Sequence, residues 1–373
     1  MRSVLYSIIL SILVILSLVL IFYFTFGGAQ AEEHLKLNAT CKNENLIGIC
    51  KSKDSCHSSL PGVKLESCNG DSSLVCCPLE EITISKGHKR TPGEKAKEMC
   101  KIYGETAYKY VPSNDLFNTK PIKSKLCDGG VPLVKGGENA SENEFPHMAR
   151  IGIFNSDLGN VEWRCGGSIV SPKFILSAAH CPVTEKNGFA MFGTIQTYDI
   201  LENHTVSIMK VHIHPHYNAA ENKHDIALFE LEIPLNTSER PICLDTGSSI
   251  YNDMIVTATG FGLNKDQEIK VLQKVDLNIV DESSCANKYK QSIKDIEIPF
   301  PEHPLCAYQE GKDTCKGDSG GPLQIGHSDL QCMYTLIGVT SFGVNCSLEK
   351  DLPGVYTKVS PYIGWIEDIV WPI

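Results

Sequence analysis

Six cysteines, Cys41, Cys50, Cys56, Cys68, Cys76 and Cys77, fall within 37 residues near the start of the chain. A segment that short cannot bury enough apolar surface to fold unaided, so covalent staples must substitute for a core. The full sequence carries 16 cysteines in 373 residues, an even number that suits an oxidising compartment. Spacing alone leaves the connectivity of the six open. A zinc site is disfavoured there because the segment contains no paired Cys-x-x-Cys arrangement.

The N-terminus offers a route to such a compartment. Val4 to Phe26 is an almost continuous apolar run of 23 residues, preceded by Arg2 and followed by the small-x-small site Ala29-Gln30-Ala31. Residues 1–31 read as a signal peptide, with a retained membrane anchor as the alternative because the run is long enough to span a bilayer. Sequons begin at Asn38, Asn139, Asn203 and Asn236, and a poorer one with Cys at its middle begins at Asn345. On a secreted chain the first four are expected to carry glycan. The net charge of −10, without a Lys/Arg stripe, argues against nucleic acid as a partner.

Residues 78–133 are polar and interrupted by Pro92, Pro112, Pro121 and Pro132, which reads as a connector with one short helix around Gly93–Tyr110. From residue 134 onward the pattern changes. Short Val-, Ile- and Phe-rich runs such as Phe174-Ile175-Leu176, Ile226-Ala227-Leu228-Phe229 and Leu336-Ile337-Gly338-Val339-Thr340 alternate with Gly, Pro and Asn. Evenly punctuated strands of this kind predict an all-β antiparallel barrel or sandwich. The chain closes differently: Ile363, Ile366, Ile369 and Val370 recur at helical spacing behind Ser360 as N-cap and Pro361 in the first turn.

Three short motifs carry chemistry. Ser177-Ala178-Ala179-His180-Cys181 contributes a histidine, His224-Asp225-Ile226-Ala227-Leu228 an aspartate at the mouth of an apolar strand, and Gly317-Asp318-Ser319-Gly320-Gly321-Pro322 a serine among glycines. Each alone is weak. Their order His, Asp, Ser over about 140 residues differs from the orders of subtilisins and of α/β-hydrolases. A serine hydroxyl is a poor nucleophile and needs a base whose pKa lies near neutrality, which histidine supplies. A buried carboxylate then holds the imidazole tautomer and stabilises its charged form.

On these motifs residues 134–373 resemble the chymotrypsin-fold serine proteases. With the six-cysteine segment 41–77 ending in adjacent Cys76-Cys77, the chain resembles insect clip-domain proteases of the Snake and Persephone kind. The resemblance implies a double six-stranded antiparallel β-barrel with a C-terminal helix behind a disulfide-rich clip domain. It gives His180, Asp225 and Ser319 the catalytic roles and the amides of Gly317 and Ser319 the oxyanion hole. Asp313 becomes the floor of the primary pocket, with Gly343 and Gly354 on its walls and Ser341 to Gly343 pairing with substrate backbone. A carboxylate at the end of a slot left open by two glycines implies cleavage after Arg or Lys.

The same resemblance implies the pairings Cys41–Cys76, Cys50–Cys68, Cys56–Cys77, Cys165–Cys181, Cys285–Cys306 and Cys315–Cys346, with Cys127–Cys243 as tether and Cys100–Cys332 remaining. It further implies a secreted zymogen cut between Leu133 and Val134, whose new terminus pairs with Asp318. Leu133 stands where most members have Arg or Lys, so the activating enzyme is expected to accept Leu. Expected partners are a downstream protein substrate, that upstream protease and a serpin-type inhibitor, in an extracellular cascade serving immunity or patterning. The alternative is a catalytically silent homologue acting as a binding cofactor.

Two metal readings are set aside at this stage. His212, His214 and His216 alternate along one stretch, which suggests a ligand face, but no carboxylate partner is visible in the sequence and a half-exposed strand explains them. Thr194 follows Gly193 where related calcium loops begin with a glutamate ligand, so no calcium is expected. No cofactor is implied.

Overall fold

A computed structural model describes residues 40–43, 46–52, 67–68, 71–78, 90–111, 122–127, 138–193, 196, 204–235, 239–262, 271–292, 300–301, 304–310, 317–343 and 352–372. The chain divides into two compact units, Met1–His88 and Lys89–Ile373. In the first, β1 (Thr40–Asn43), β2 (Leu46–Ser52), β3 (Ser67–Cys68) and β4 (Asp71–Pro78) form a sheet in the order β1-β2-β4-β3. Cys50 and Cys68 are bonded inside it and fully covered. The expected Cys41–Cys76 and Cys56–Cys77 pairs lie outside the side chains described, as do Val4–Phe26, Asn38 and Thr194. Among the described residues no helix is long and apolar enough to cross a membrane.

In the second unit a helix spans Glu94–Glu105, shorter than the stretch expected from sequence, and leads into the hairpin of β5 (Tyr108–Val111) and β6 (Ile122–Lys125). After β7 (Glu138–Asn139), six strands close a barrel: β8 (Met148–Asn155), β9 (Asn160–Ser171), β10 (Phe174–Ser177), β11 (Gly188–Phe192), β12 (Thr205–Ile213) and β13 (Ala227–Leu231). Around the ring the order is β10-β13-β12-β11-β8-β9. Ile151, Ile169, Ile175, Leu176, Leu228 and Leu231 are each 0% exposed. These branched side chains pack together in the core, and closure of the ring leaves no sheet edge to solvent.

A second ring follows, from β14 (Cys243–Leu244) through β15 (Ile255–Gly260), β16 (Gln273–Val280), β17 (Pro304–Tyr308), β18 (Pro322–Gly326), β19 (Tyr334–Phe342) and β20 (Gly354–Lys358). The β19–β20 pairing closes β19-β18-β15-β16-β17-β20 into six antiparallel strands, with β14 added in parallel on β19 and β7 on β16. Its core holds Val256, Leu277, Leu305, Leu323, Ile337 and Tyr356. The fold is therefore the all-β double barrel.

The chain ends in a 3-10 turn, Ser360–Tyr362, and an α-helix, Ile363–Val370. Ile363, Ile366 and Val370 face the core as the periodicity predicts. Ser360 opens the 3-10 turn instead of capping the α-helix, and no side chain caps either element.

Two disulfides differ from the expected pairing. Cys100 is bonded to Cys243 and Cys127 to Cys332, in place of Cys100–Cys332 and Cys127–Cys243. The reason is the helix Glu94–Glu105. Its buried face, with Met99, Cys100, Ile102 and Tyr103, brings Cys100 to β14 at a Cα separation of 4.9 Å. Cys127, beyond the β5–β6 hairpin, is then left to meet Cys332. Cys165–Cys181 and Cys285–Cys306 are also present. Cys315–Cys346 lies outside the described residues.

Candidate active site

His180 sits in the turn that follows β10, and Asp225 lies two residues before the start of β13, the strand hydrogen-bonded beside β10. Because Ser177 pairs with Ala227 in that ladder, the two chain segments leave the barrel side by side and their functional side chains meet. His180 Nδ1 lies 2.7 Å from Asp225 Oδ2, and the His180 backbone N–H donates to Oδ1 at 2.9 Å. The hydroxyl of Ser341 donates to Oδ2 at 2.5 Å. Asp225 is only 4% exposed, and a carboxylate so buried is tolerable because three donors replace its water.

Sequence reasoning placed Ser341 only against substrate backbone; its hydroxyl on Asp225 was not foreseen. The β19–β20 register shifts between Thr340 and Phe342, and such a bulge re-aims the residue within it. The hydroxyl of Thr357, on the neighbouring strand, holds the Asp225 carbonyl at 2.9 Å. Nothing in a one-dimensional pattern ties Thr357 to Asp225.

Ser319 lies on the turn entering β18, in the second barrel, and its carbonyl accepts the Gly166 N–H of β9 at 2.8 Å. The Cys165–Cys181 bond joins the residues that neighbour Gly166 and His180. The serine turn is thereby held against the strand and loop that carry the histidine. Close docking dictates the glycines. Gly320 has φ 79°, and a Cβ there would overlap the Ser177 hydroxyl.

The Asp318 carboxylate lies in a recess beside Gly260 and Gly262, where Gly262 N–H donates to its Oδ1 at 2.7 Å. A Cβ at either Gly260 or Gly262 would overlap this carboxylate, so the recess exists only because both are glycine. Gly317 has φ 101° and adjoins Gly262. At Gly343 a Cβ would meet no described neighbour within 4 Å. Gly354 is buried in β20 opposite Ala307. Asp313, Leu133 and Val134 lie outside the described residues, as do Asn203 and Asn236. Asn139 is exposed on β7.

The three histidines grouped by alternation separate. His212, still on β12, turns to Glu230 at 3.3 Å, the carboxylate that the sequence did not reveal. His214 and His216 lie beyond the strand end and gather with His224. Burial, and the neighbouring His224 and His216, depress the His214 pKa to about 4.

A serine on a glycine-lined turn beside a histidine oriented by a buried carboxylate, at the junction of two six-stranded barrels, is the layout of a serine endopeptidase. The trypsin family profile matches residues 134–366, and the chain belongs to that family. It is 31% identical over 327 residues to serine protease snk of Drosophila melanogaster, covering 83% of this chain and 72% of that protein. It is 31% identical to serine protease Hayan of the same species over 66% of this chain and 41% of Hayan. CLIP domain-containing serine protease B4 of Anopheles gambiae is 32% identical over 64% of this chain and 70% of its own length. The chain is thus a trypsin-like serine protease related to insect clip-domain proteases.

Proposed function

We propose that the chain is a secreted zymogen that, once cut between Leu133 and Val134, hydrolyses protein substrates after Arg or Lys in an extracellular proteolytic cascade. The observation that carries this reading is the pairing of His180 Nδ1 with buried Asp225, since it leaves Nε2 as the base facing the cleft. His180 takes the Ser319 proton as Oγ attacks the scissile carbonyl. The oxyanion is received by the N–H groups of Gly317 and Ser319, donors typically worth about 3 kcal/mol each. His180 then gives its proton to the departing amine, and water repeats the sequence on the acyl-enzyme.

Asp313 supplies the carboxylate for a basic side chain, and Gly343, where a Cβ would meet no described neighbour within 4 Å, leaves the approach open. For activation, the recess around Asp318 supports a pairing of its carboxylate with the ammonium of a freed Val134. Leu133 before the cut implies an activator of different specificity from this enzyme, so the zymogen does not activate itself.

Ser319→Ala is expected to leave secretion intact and to reduce hydrolysis of Arg- and Lys-ending peptides below about 1% of the parent. Higher residual turnover removes Ser319 as nucleophile. Asp313→Ser is expected to shift preference from basic towards large apolar residues, and persistence of Arg and Lys preference would mean a different pocket floor. N-terminal sequencing of the active heavy chain is expected to begin at Val134, and any other start refutes the register.

A further inference from the structure

Between β12 and β13 the chain makes a loop whose neck is pinned shut. His214 N–H donates to Ile226 carbonyl at 3.1 Å, and Asn218 and Lys223 exchange backbone bonds of 3.0 and 3.1 Å. The entering limb therefore runs beside the leaving limb, and His214 and His216 face His224. Their ring centroids form a nearly equilateral triangle: 5.1 Å for His214–His224, 5.7 Å for His214–His216 and 5.8 Å for His216–His224. Three imidazoles on one tetrahedral ion, with metal–nitrogen bonds of about 2.0–2.1 Å, place their centroids roughly 5 Å apart. The triangle already has nearly that size.

Two of the rings are also held from behind. His224 Nδ1 is 3.0 Å from the Tyr362 hydroxyl, an orientation that turns Nε2 outward. A hydrogen bond on the second ring nitrogen is the usual device that fixes a metal-binding imidazole. His214 packs edge-on against Tyr362 and Trp365 at 5.0 and 5.1 Å. Its Nδ1 lone pair accepts only a long 3.4 Å bond from the His216 N–H, two residues along the same limb, that an ion would displace. As the rings stand, the donor nitrogens do not meet at one point. His216 is exposed, so rotation of its side chain can close the set.

We propose that His214, His216 and His224 form a regulatory site for a borderline transition-metal ion, zinc above all, that acts on catalysis through the neighbouring residue Asp225. Three imidazoles without a carboxylate suit zinc or copper and not calcium or magnesium. His224 has φ 51°, a left-handed conformation that few non-glycine residues adopt, and its carbonyl accepts the Ile226 N–H at 2.8 Å across Asp225. An ion that draws His224 towards His214 and His216 pulls on the segment from which Asp225 reaches His180. It also adds positive charge beside the imidazole that must become charged in the transition state. Both effects lower kcat without blocking the substrate pocket.

The test uses the untagged full-length chain, titrated with zinc chloride by calorimetry, and copper(II) with electron paramagnetic resonance to count nitrogen ligands. Saturable binding at one equivalent is expected, with nitrogen coordination, and with affinity reduced at least about tenfold in His216→Ala. His212→Ala, beside Glu230, is expected to change nothing. Zinc is expected to lower kcat of the activated enzyme with little change in KM, reversed by chelation and absent in His216→Ala. Binding unaffected by His216→Ala, or none below about 1 mM zinc, overturns the site. Binding at these residues with unchanged kcat overturns the regulatory role.

Discussion

Asp225 sits in a nearly dry position where each oxygen has a donor: the His180 amide on one and the His180 ring and Ser341 hydroxyl on the other. Removing the hydroxyl by Ser341→Ala leaves the His180 contacts but takes one charge-assisted bond from the carboxylate, worth about 1.5–3 kcal/mol. With half of that felt in the transition state, kcat falls by about 3- to 12-fold with KM little changed, measured on a basic peptide substrate. A second residue reports on stability. His147 is 2% exposed, donates from Nε2 to Gln324 Oε1 at 2.5 Å, and is held down to about 3, chiefly by burial, with the Gln324 bond opposing. Its ordinary value is 6.5, so below that pH the unfolded chain takes up a proton that the folded one refuses. Stability is full above pH 6.5 and is lost as pH falls towards 3, by about 2 kcal/mol between pH 6.5 and 5. Denaturant melts across that range are expected to show a shallower acid slope in His147→Gln than in the parent.

At the scale of elements, the helix Glu94–Glu105 is held by a residue far from it in sequence. Its N-cap Gly93 has φ 98° and no side chain, so the helix cannot cap itself. Glu367, on the buried face of the closing helix, accepts Gly93 N–H with both oxygens at 3.1 Å and Ala96 N–H at 2.7 Å. A carboxylate at a helix N-terminus satisfies orphan donors and opposes the helix dipole. Arg90 to the Trp371 carbonyl, Trp371 Nε1 to Tyr103 and the Cys100–Cys243 bond complete the clamp. Glu367→Ala is expected to cost about 1–3 kcal/mol, read as a lower melting temperature together with faster amide exchange at residues 94–97. A loss of melting temperature without that local exchange would place the effect elsewhere.

At the scale of the molecule, the two corrected disulfides decide what cleavage can release. Cys100–Cys243 and Cys127–Cys332 both join residues before the proposed Leu133–Val134 cut to residues after it. The activated protein is therefore expected to migrate as one species without reductant and as two with it. Cys127→Ser/Cys332→Ser should still hold both chains together through Cys100–Cys243. Dissociation in that variant would show that the helix is not bonded to β14.

The motifs that hold His180, Asp225 and Ser319 were legible because each is short and its chemistry local, and the strand-and-turn rhythm from residue 134 was legible because short apolar runs are punctuated by Gly, Pro and Asn. The apolar spacing of the closing helix was legible because one face of a helix packs against a core. Ser341 on Asp225, Glu367 on Gly93 and Ala96, and the grouping of His214 and His216 with His224 were not. These contacts join residues on separate strands, on opposite limbs of a loop, or about 270 positions apart. The pairing of Cys100 with Cys243 belongs with them, because a cysteine's partner is set by which helix face packs on which strand. Local residue chemistry determined the catalytic class from sequence; barrel closure and helix docking decided what positions that chemistry.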